Sequence, residues 1–543
     1  MTELAATLPS AVPDVVYRDA AIITCDPSRP RATGLWVRDE RIAGVGDADA
    51  LEASAGPGAR VVRLAGATIV PGLIDAHCHI SILAYLLTGA DCSLAAAPDI
   101  AAIQARLAAA PAGAEGWVTG SGFAEYLLAD RRSPTRLDLD AAVPDVPCAL
   151  FHKSLHQCVV NSAGLRRLGY TDASQDPPRG WFGRDADGNL DGRLLEALAL
   201  DLLSANLRAH VDLLDAGGRA ALMERAGRHL ASLGLTSCSD AAGDAGAFLA
   251  LREAERRAEL PVRVTVMFTY PEAAWLMKAG MTTGFGSDRL RIGAVKLWAD
   301  GGMSSRTAAV DEPYENPPGE TGLLWYEPDA LAAIVRECAD AGFQVAVHAQ
   351  GERGIRITLA ALAEVTPPGN PARHRIEHGG CFRPELRAIA ARLNVHVVSQ
   401  PGFISPLGEG YLEAFGPVRC EGLYPYASLR DEGVLVAGAS DAPVISASPL
   451  LGMRDAVLRR TAGGAFIGRA EALTPVEALE LYTRNAAFVS HHDERVGSLE
   501  VGKLADFVVL DRDPLSTPPE TLGDTRIEMT VVGGVVVHEW NGA

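Results

Sequence analysis

Short β-type runs separated by turn residues open the chain: VVYRDAAIITCD, GLWVRDERIAGVG and RVVRLAGATIV occupy residues 14–70, broken by Gly, Pro and Asp. This alternation predicts a small all-β unit. The carboxyl end, 501–538, repeats it with VGKLADFVVLD and then IEMTVVGGVVVHEW, whose Gly-Gly reads as a turn. Segments at opposite ends of a chain can pair only if the intervening domain brings its ends together. Between them, apolar runs alternate with Ala/Leu-rich helical stretches, the rhythm of a parallel sheet. Eight runs are candidate strands: 67–79, 234–242, 262–268, 291–300, 343–350, 373–380, 394–401 and 433–443. They predict an α/β fold, a (β/α)8 TIM barrel, for which roughly 250 residues are typical. Thr474, Pro475 and Glu477 combine a capping box with proline at the first helical position, and predict the start of the final helix.

One spacing departs from that rhythm. Residues 79 and 234 lie far further apart than a βαβ crossover needs. An inserted subdomain at about 95–210 accounts for it, and loops after barrel strands surround the active site, so the insertion is expected to form a wall or lid. The expected units are 1–70 with 490–543, the barrel at 71–489, and the insertion inside it.

Composition narrows the possible partners. The chain has 543 residues, 48% hydrophobic and 22% charged, enough to bury a large core. A net charge of -19 argues against nucleic acid or an anionic membrane surface, which both need clustered Lys and Arg. No apolar run is long enough to span a bilayer, and the amino terminus lacks a secretion signal. Nine scattered cysteines without CxxC pairs suit a reducing cytoplasm. A homodimer is the default oligomer, and a small molecule the expected substrate.

The chemistry gathers at the carboxyl ends of the candidate strands, where barrel enzymes place it. PGLIDAHCHI ends the first strand, and in an extended strand His77 and His79 share one face while Cys78 points to the wall. Lys296 follows on the fourth strand, His348 on the fifth, His378 on the sixth and Asp441 on the eighth. Buried polar groups cost a few kcal/mol each unless satisfied, and one metal centre would satisfy all six. Imidazole and carboxylate ligands suit Zn²⁺ and neighbouring transition metals.

This ordered set resembles the amidohydrolase superfamily. AVKLWADGGMSSRTAAV, VAVHAQGERGI, HRIEHGG, the Gln400-Pro401 pair, GASDAPV, TRNAA and GSLEVGKLADFVVLDRD are similar to the amidohydrolase family 3 branch, with its YtcJ-like members and N-substituted formamide deformylases. The resemblance covers nearly the whole chain. It implies a distorted barrel, a β-sandwich built from both termini, and a site for one or two zinc-type ions. His77, His79 and Asp441 would hold the inner ion, and His348 and His378 the outer one. Lys296, N-carboxylated by CO2, would bridge two ions; the alternative pairs Lys296 with Asp300 or a substrate carboxylate. A metal-activated water would attack an amide-type carbonyl. Asp441 would carry its proton to the leaving nitrogen, which makes Asp441 the catalytic residue.

Four further residues are candidate substrate contacts. His156, in SLHQCVVNSAG, matches a family histidine, with a fold-supporting role as the alternative. Arg306 could bind an anionic group, with an ion-paired surface arginine as the alternative. Phe123, with Tyr126, replaces the family's tryptophans in GSGFAEYLL, and Trp298, with Trp325 and Phe403, is a candidate apolar wall. Glu352 stands where the family carries aspartate, as support behind the ligands or as a surface acid. The expected substrates are N-substituted formamides or N-acyl amines, with cyclic amides, carbamates and esters open to the same attack. A heterocycle deaminase would expect His-x-x-Glu at His348 and would leave Lys296 unexplained. A non-catalytic scaffold would have lost ligands.

Overall fold

The computed structural model describes residues 14–542 except Tyr126. Eight parallel strands form the barrel: Leu73–Cys78, Leu235–Gly243, Arg263–Thr269, Leu290–Trp298, Val345–Ala349, Arg375–His378, His396–Ser399 and Val436–Gly438. All eight expected runs are there. Their residues are nearly all buried, as they must be in a parallel sheet covered on both faces, which is why most read as largely apolar runs. The ladder runs from the first strand through to the eighth. The seam between these two is closed beyond the strand ends, where Asp441 N donates to His77 O at 2.8 Å and His79 N to Ala442 O at 2.8 Å. The same closure places the His-x-His end beside Asp441 by backbone alone.

The run 67–79 is two strands, not one. Thr68–Pro71 belongs to the terminal sheet and Leu73–Cys78 to the barrel. Gly72 joins them because a Cβ there would lie 2.2 Å from Thr236 Oγ1. Phe507–Leu510 pairs antiparallel with Thr68–Pro71, so the two ends of the chain share one eight-stranded sheet with its own apolar core around Ile22, Leu35 and Phe507. The Gly-Gly turn behaves as read: Gly533 and Gly534 take φ of 58° and 74° between Val532 and Val535, the positive pair that a two-residue hairpin demands. Thr474 and Glu477 form their capping box, but the helix Pro475–Leu481 is not the last, since Arg484–Val489 follows it. Among the described residues no helix is long and apolar enough to cross a membrane.

A six-stranded sheet interrupts the barrel after its first strand, in the order Gly180–Arg184, Leu190–Glu196, Gln157–Val160, Cys148–His152, Val118–Phe123, Ala90–Asp91. Its first strand precedes residue 95, and helix Ala197–Leu213 leads back towards the barrel.

A buried ion pair ties the barrel to the terminal sheet. Arg263, opening the third strand, donates Nε and Nη2 to the two oxygens of Asp506 at 2.7 and 2.8 Å, and Asp506 also accepts from Gly533 N at 2.8 Å. This explains the aspartate of the GKLADF motif. Asp506→Ala leaves the guanidinium buried and unpaired, so it is expected to lower stability by ~3–5 kcal/mol. Denaturant midpoints of the variant and the parent check it; a loss below ~1 kcal/mol would place the pair among energetically neutral surface bridges.

Candidate metal centre

His77 ends the first barrel strand and His79 lies just beyond it, their rings 5.5 Å apart, while Cys78 turns outward into the main apolar cluster with Cys238. Both imidazoles converge on one oxygen. His77 Nε2 lies 3.3 Å and His79 Nε2 3.0 Å from Asp441 Oδ1. Lys296 Nζ lies 3.3 Å from His77 Nε2. The His378 ring sits 4.9 Å from that of His77, and the His348 ring 4.5 Å from that of His378. All six face one cavity of about 310 Å³.

Neighbouring acceptors fix which ring nitrogen faces inward. A carboxylate or carbonyl oxygen can only accept, so the nitrogen it meets carries the proton. Glu377 takes His77 Nδ1, leaving the Nε2 lone pair towards Asp441 and Lys296. Gln400 Oε1 takes His378 Nδ1 at 2.8 Å, and Gly301 O takes His348 Nε2 at 3.0 Å. His79 Nδ1 is buried without a partner. A lone pair aimed at a carboxylate oxygen is repulsive until a cation lies between them. His77, His79 and Asp441 offer three ligand atoms within 4.8 Å of one another, so this donor set fits a divalent metal.

The electrostatics agree. Burial pushes His378 down to about 3 and drives His348 well below its ordinary range, helped by the charge of Lys296 in both, so these rings are neutral and able to ligate. Burial raises Asp441, but the adjacent imidazoles of His77 and His79 outweigh it and hold the carboxyl well below its usual range. Burial likewise lowers Lys296 to about 8, against the pull of Glu377 and Asp441.

Two ligands need an unusual backbone. His378 has φ 73° and Asp441 φ 60°, both in the left-handed region that non-glycine residues avoid, each costing on the order of 1–3 kcal/mol. On the sixth strand Arg375 and Glu377 share one face, with Arg375 Nε donating to Glu377 Oε1 at 2.6 Å. Strict alternation would send His378 the other way, and its left-handed φ lets it face the cavity that holds the other ligands.

The remaining candidates divide. His156 lines the cavity, its Nδ1 2.8 Å from Glu196 Oε2, and Glu196 raises it against the effect of burial. Trp298 lines the cavity too, stacked on Trp325 at 5.8 Å, and Phe403 lies parallel to the His378 ring. Phe123 does not: it is fully buried in the apolar core of the inserted sheet, where its strand turns it away from the cavity. Arg306 also misses the cavity, drawn to Glu413 at 3.2 Å. Tyr126 lies outside the described residues. Glu352 is no surface acid: it is buried, accepting from Asp311 N and from Arg383 Nε at 3.1 Å. Asp300 is not the partner of Lys296, because its oxygens accept backbone N–H groups of Ala309, Gln350 and Gly351. Sequence reasoning missed Glu377 and Glu196 as supports. The i, i+2 pairing of Arg375 with Glu377 was the available signal for the first; Glu196, one sheet strand from His156, offered none.

A family model described as the amidohydrolase family matches residues 60–538. The N-substituted formamide deformylase of Arthrobacter pascens is 31% identical over 98% of this chain and 99% of its own length. "Putative amidohydrolase YtcJ" of Bacillus subtilis is 28% identical over 96% and 99%. Among solved structures, an uncharacterized metal-dependent hydrolase from Pyrococcus horikoshii superimposes with a TM-score of 0.77 at 26% identity, covering 93% of this chain and 99% of that one.

Proposed function

We propose that this chain, which belongs to the amidohydrolase family and is a hydrolase of C–N bonds, cleaves the amide bond of a small N-substituted formamide or N-acyl amine. The observation that carries the reading is the convergence of His77 Nε2 and His79 Nε2 on Asp441 Oδ1 at the floor of a cavity walled by aromatic rings. The relative that acts on N-substituted formamides lends support to that substrate class.

His77, His79 and Asp441 would hold one ion, and His348 and His378 a second, with Zn²⁺ the metal that suits imidazole and carboxylate. Such a cation supplies Lewis acidity, easing loss of a proton from water and polarising a carbonyl. The protein's own groups do the rest. Asp441, ionised and with Oδ1 turned to the two histidines, offers Oδ2 to take a proton from the attacking water and deliver it to the departing nitrogen. Glu196 accepts from His156 Nδ1 and favours the protonated ring, which keeps a second N–H, at Nε2, to donate to a substrate oxygen. Trp298, Trp325 and Phe403 exclude water and receive the apolar substituent. Lys296, its amine half neutral near pH 8, is suited to take up CO2 as a carbamate, releasing one proton.

The test is a substrate screen on protein purified without chelator, with metal quantified in parallel. Formamides, N-acyl amines, lactams and carbamates are offered. Turnover of a formamide or N-acyl amine is expected, lost on chelation and restored by Zn²⁺. Turnover that survives complete metal removal, or activity on none of the four classes, overturns the proposal.

A further inference from the structure

Behind one wall of the catalytic cavity lies a second cavity of about 220 Å³. The two share their partition. Phe403, Leu407 and Val444 face the catalytic side, while Ser405, Pro406 and Ile445 face the other. Beyond these, Leu451 and Tyr482 continue the lining, together with Ser440, Ser446 and Ser448.

Lys153 reaches into this second space from the loop after strand Cys148–His152, its backbone N–H anchored on Phe123 O at 2.9 Å. The chain is sparing with lysine, having only Lys153, Lys278, Lys296 and Lys503. Among the described residues the Lys153 ammonium makes neither a hydrogen bond nor an ion pair. Burial depresses it, and no carboxylate pulls it back. The other charges in the lining cancel: Arg454 Nε donates to Asp455 at 2.7 Å. Half-buried Lys153 is therefore the uncompensated charge of a space lined by apolar residues and serines, an arrangement that an anion would complete.

We propose that the second cavity binds an organic monocarboxylate with a short apolar tail, the carboxylate paired with Lys153 and the tail against Ile445, Leu451 and Tyr482. With Arg454 and Asp455 paired, the one uncompensated cation of the lining matches a monoanion, and its apolar residues match a tail. The inference is independent of the amide taken by the catalytic cavity, and its test reads binding, not turnover.

The probe is hexanoate, with the metal-loaded full-length protein. Lysine acetylation by a limiting acylating reagent is followed by peptide mass spectrometry, with the exposed Lys278 as internal reference. At about ten times its dissociation constant, hexanoate is expected to slow acetylation of Lys153 by ~10-fold and to leave Lys278 unchanged. Hexylamine, with the same tail and the opposite charge, is expected to do nothing. In calorimetry, Lys153→Met is expected to lose the second-cavity heat, with affinity there down ~10-fold or more. Undiminished acetylation of Lys153 in saturating hexanoate, or equal slowing by hexylamine, overturns the proposal. Because the labelling arm uses the parent protein, it decides the matter even if the variant does not fold.

Discussion

Asp441→Asn is expected to lower kcat by ~10²–10⁴-fold, the range that general acid–base catalysis supplies, with a much smaller change in KM. Asparagine keeps the shape of the side chain and an oxygen on the side of His77 and His79, which meet Asp441 Oδ1 at 3.3 and 3.0 Å. It cannot take a proton from water and pass it on. The left-handed backbone at residue 441, φ 60°, also tolerates asparagine better than most replacements, so the variant is expected to fold. Steady-state kinetics beside metal quantification separate lost proton transfer from lost metal. A variant with full metal and more than about a tenth of the parent kcat would remove Asp441 from the proton path, since less than one order of magnitude falls short of such a role.

Glu377→Gln is expected to weaken metal binding by 10–100-fold, roughly the usual consequence of losing a carboxylate behind a ligating histidine. Glu377 accepts from His77 Nδ1 with one oxygen and from Arg375 Nε, at 2.6 Å, with the other. The amide retains the shape but not the charge. His77 loses the partner that makes its inner nitrogen electron-rich, and the fully buried Arg375 loses its counterion, an added destabilisation of ~3–5 kcal/mol. Competition with a chromophoric chelator reads the first effect and denaturant unfolding the second. The pH dependence carries a definite sign. Burial raises Glu377, but Arg375 and His77 outweigh it and hold the carboxyl well below its ordinary value. A depressed carboxylate contributes stability that is fully present above its unfolded pKa, about 4.3, and is lost as pH falls through its lowered one. The stability gap between parent and variant is therefore expected to be constant at neutral pH and to close only in strong acid. A gap that closed near neutrality would mean that the Arg375–Glu377 pair is not what the substitution disturbs.

Much of the architecture is legible from local pattern. Strands buried on both faces are rich in apolar residues, so Val345–Ala349 and Arg263–Thr269 stand out from their helical surroundings without any knowledge of neighbours. The period of two along PGLIDAHCHI puts His77 and His79 on one side and Cys78 on the other. The Gly-Gly turn and the Thr474 capping box are set by conformational preferences of a few adjacent residues. The break at Gly72 is not legible in this way. An apolar run gives no mark where it passes from one sheet to another, and the reason for glycine is the approach of Thr236, more than 160 positions away.

The candidate contacts fail or succeed on the same ground. Phe123 and Trp298 are both large aromatics at the ends of strands, yet one fills the core of the inserted sheet and the other lines the catalytic cavity. Hydrophobicity favours burial equally in both places and says nothing of which space is filled. Arg306 obeys the nearest carboxylate, Glu413, which only the fold brings near.

The order of residues by itself determined the barrel strands and the histidines, lysine and aspartate at their ends, because these follow from spacing and side-chain chemistry. The tertiary structure alone decided which nitrogen of each imidazole points inward, that Glu377 and Glu196 stand behind His77 and His156, and that Lys153 faces a second cavity without a counterion. Those outcomes depend on distances between segments far apart in the chain, and through-space electrostatics and packing have no signature in local sequence.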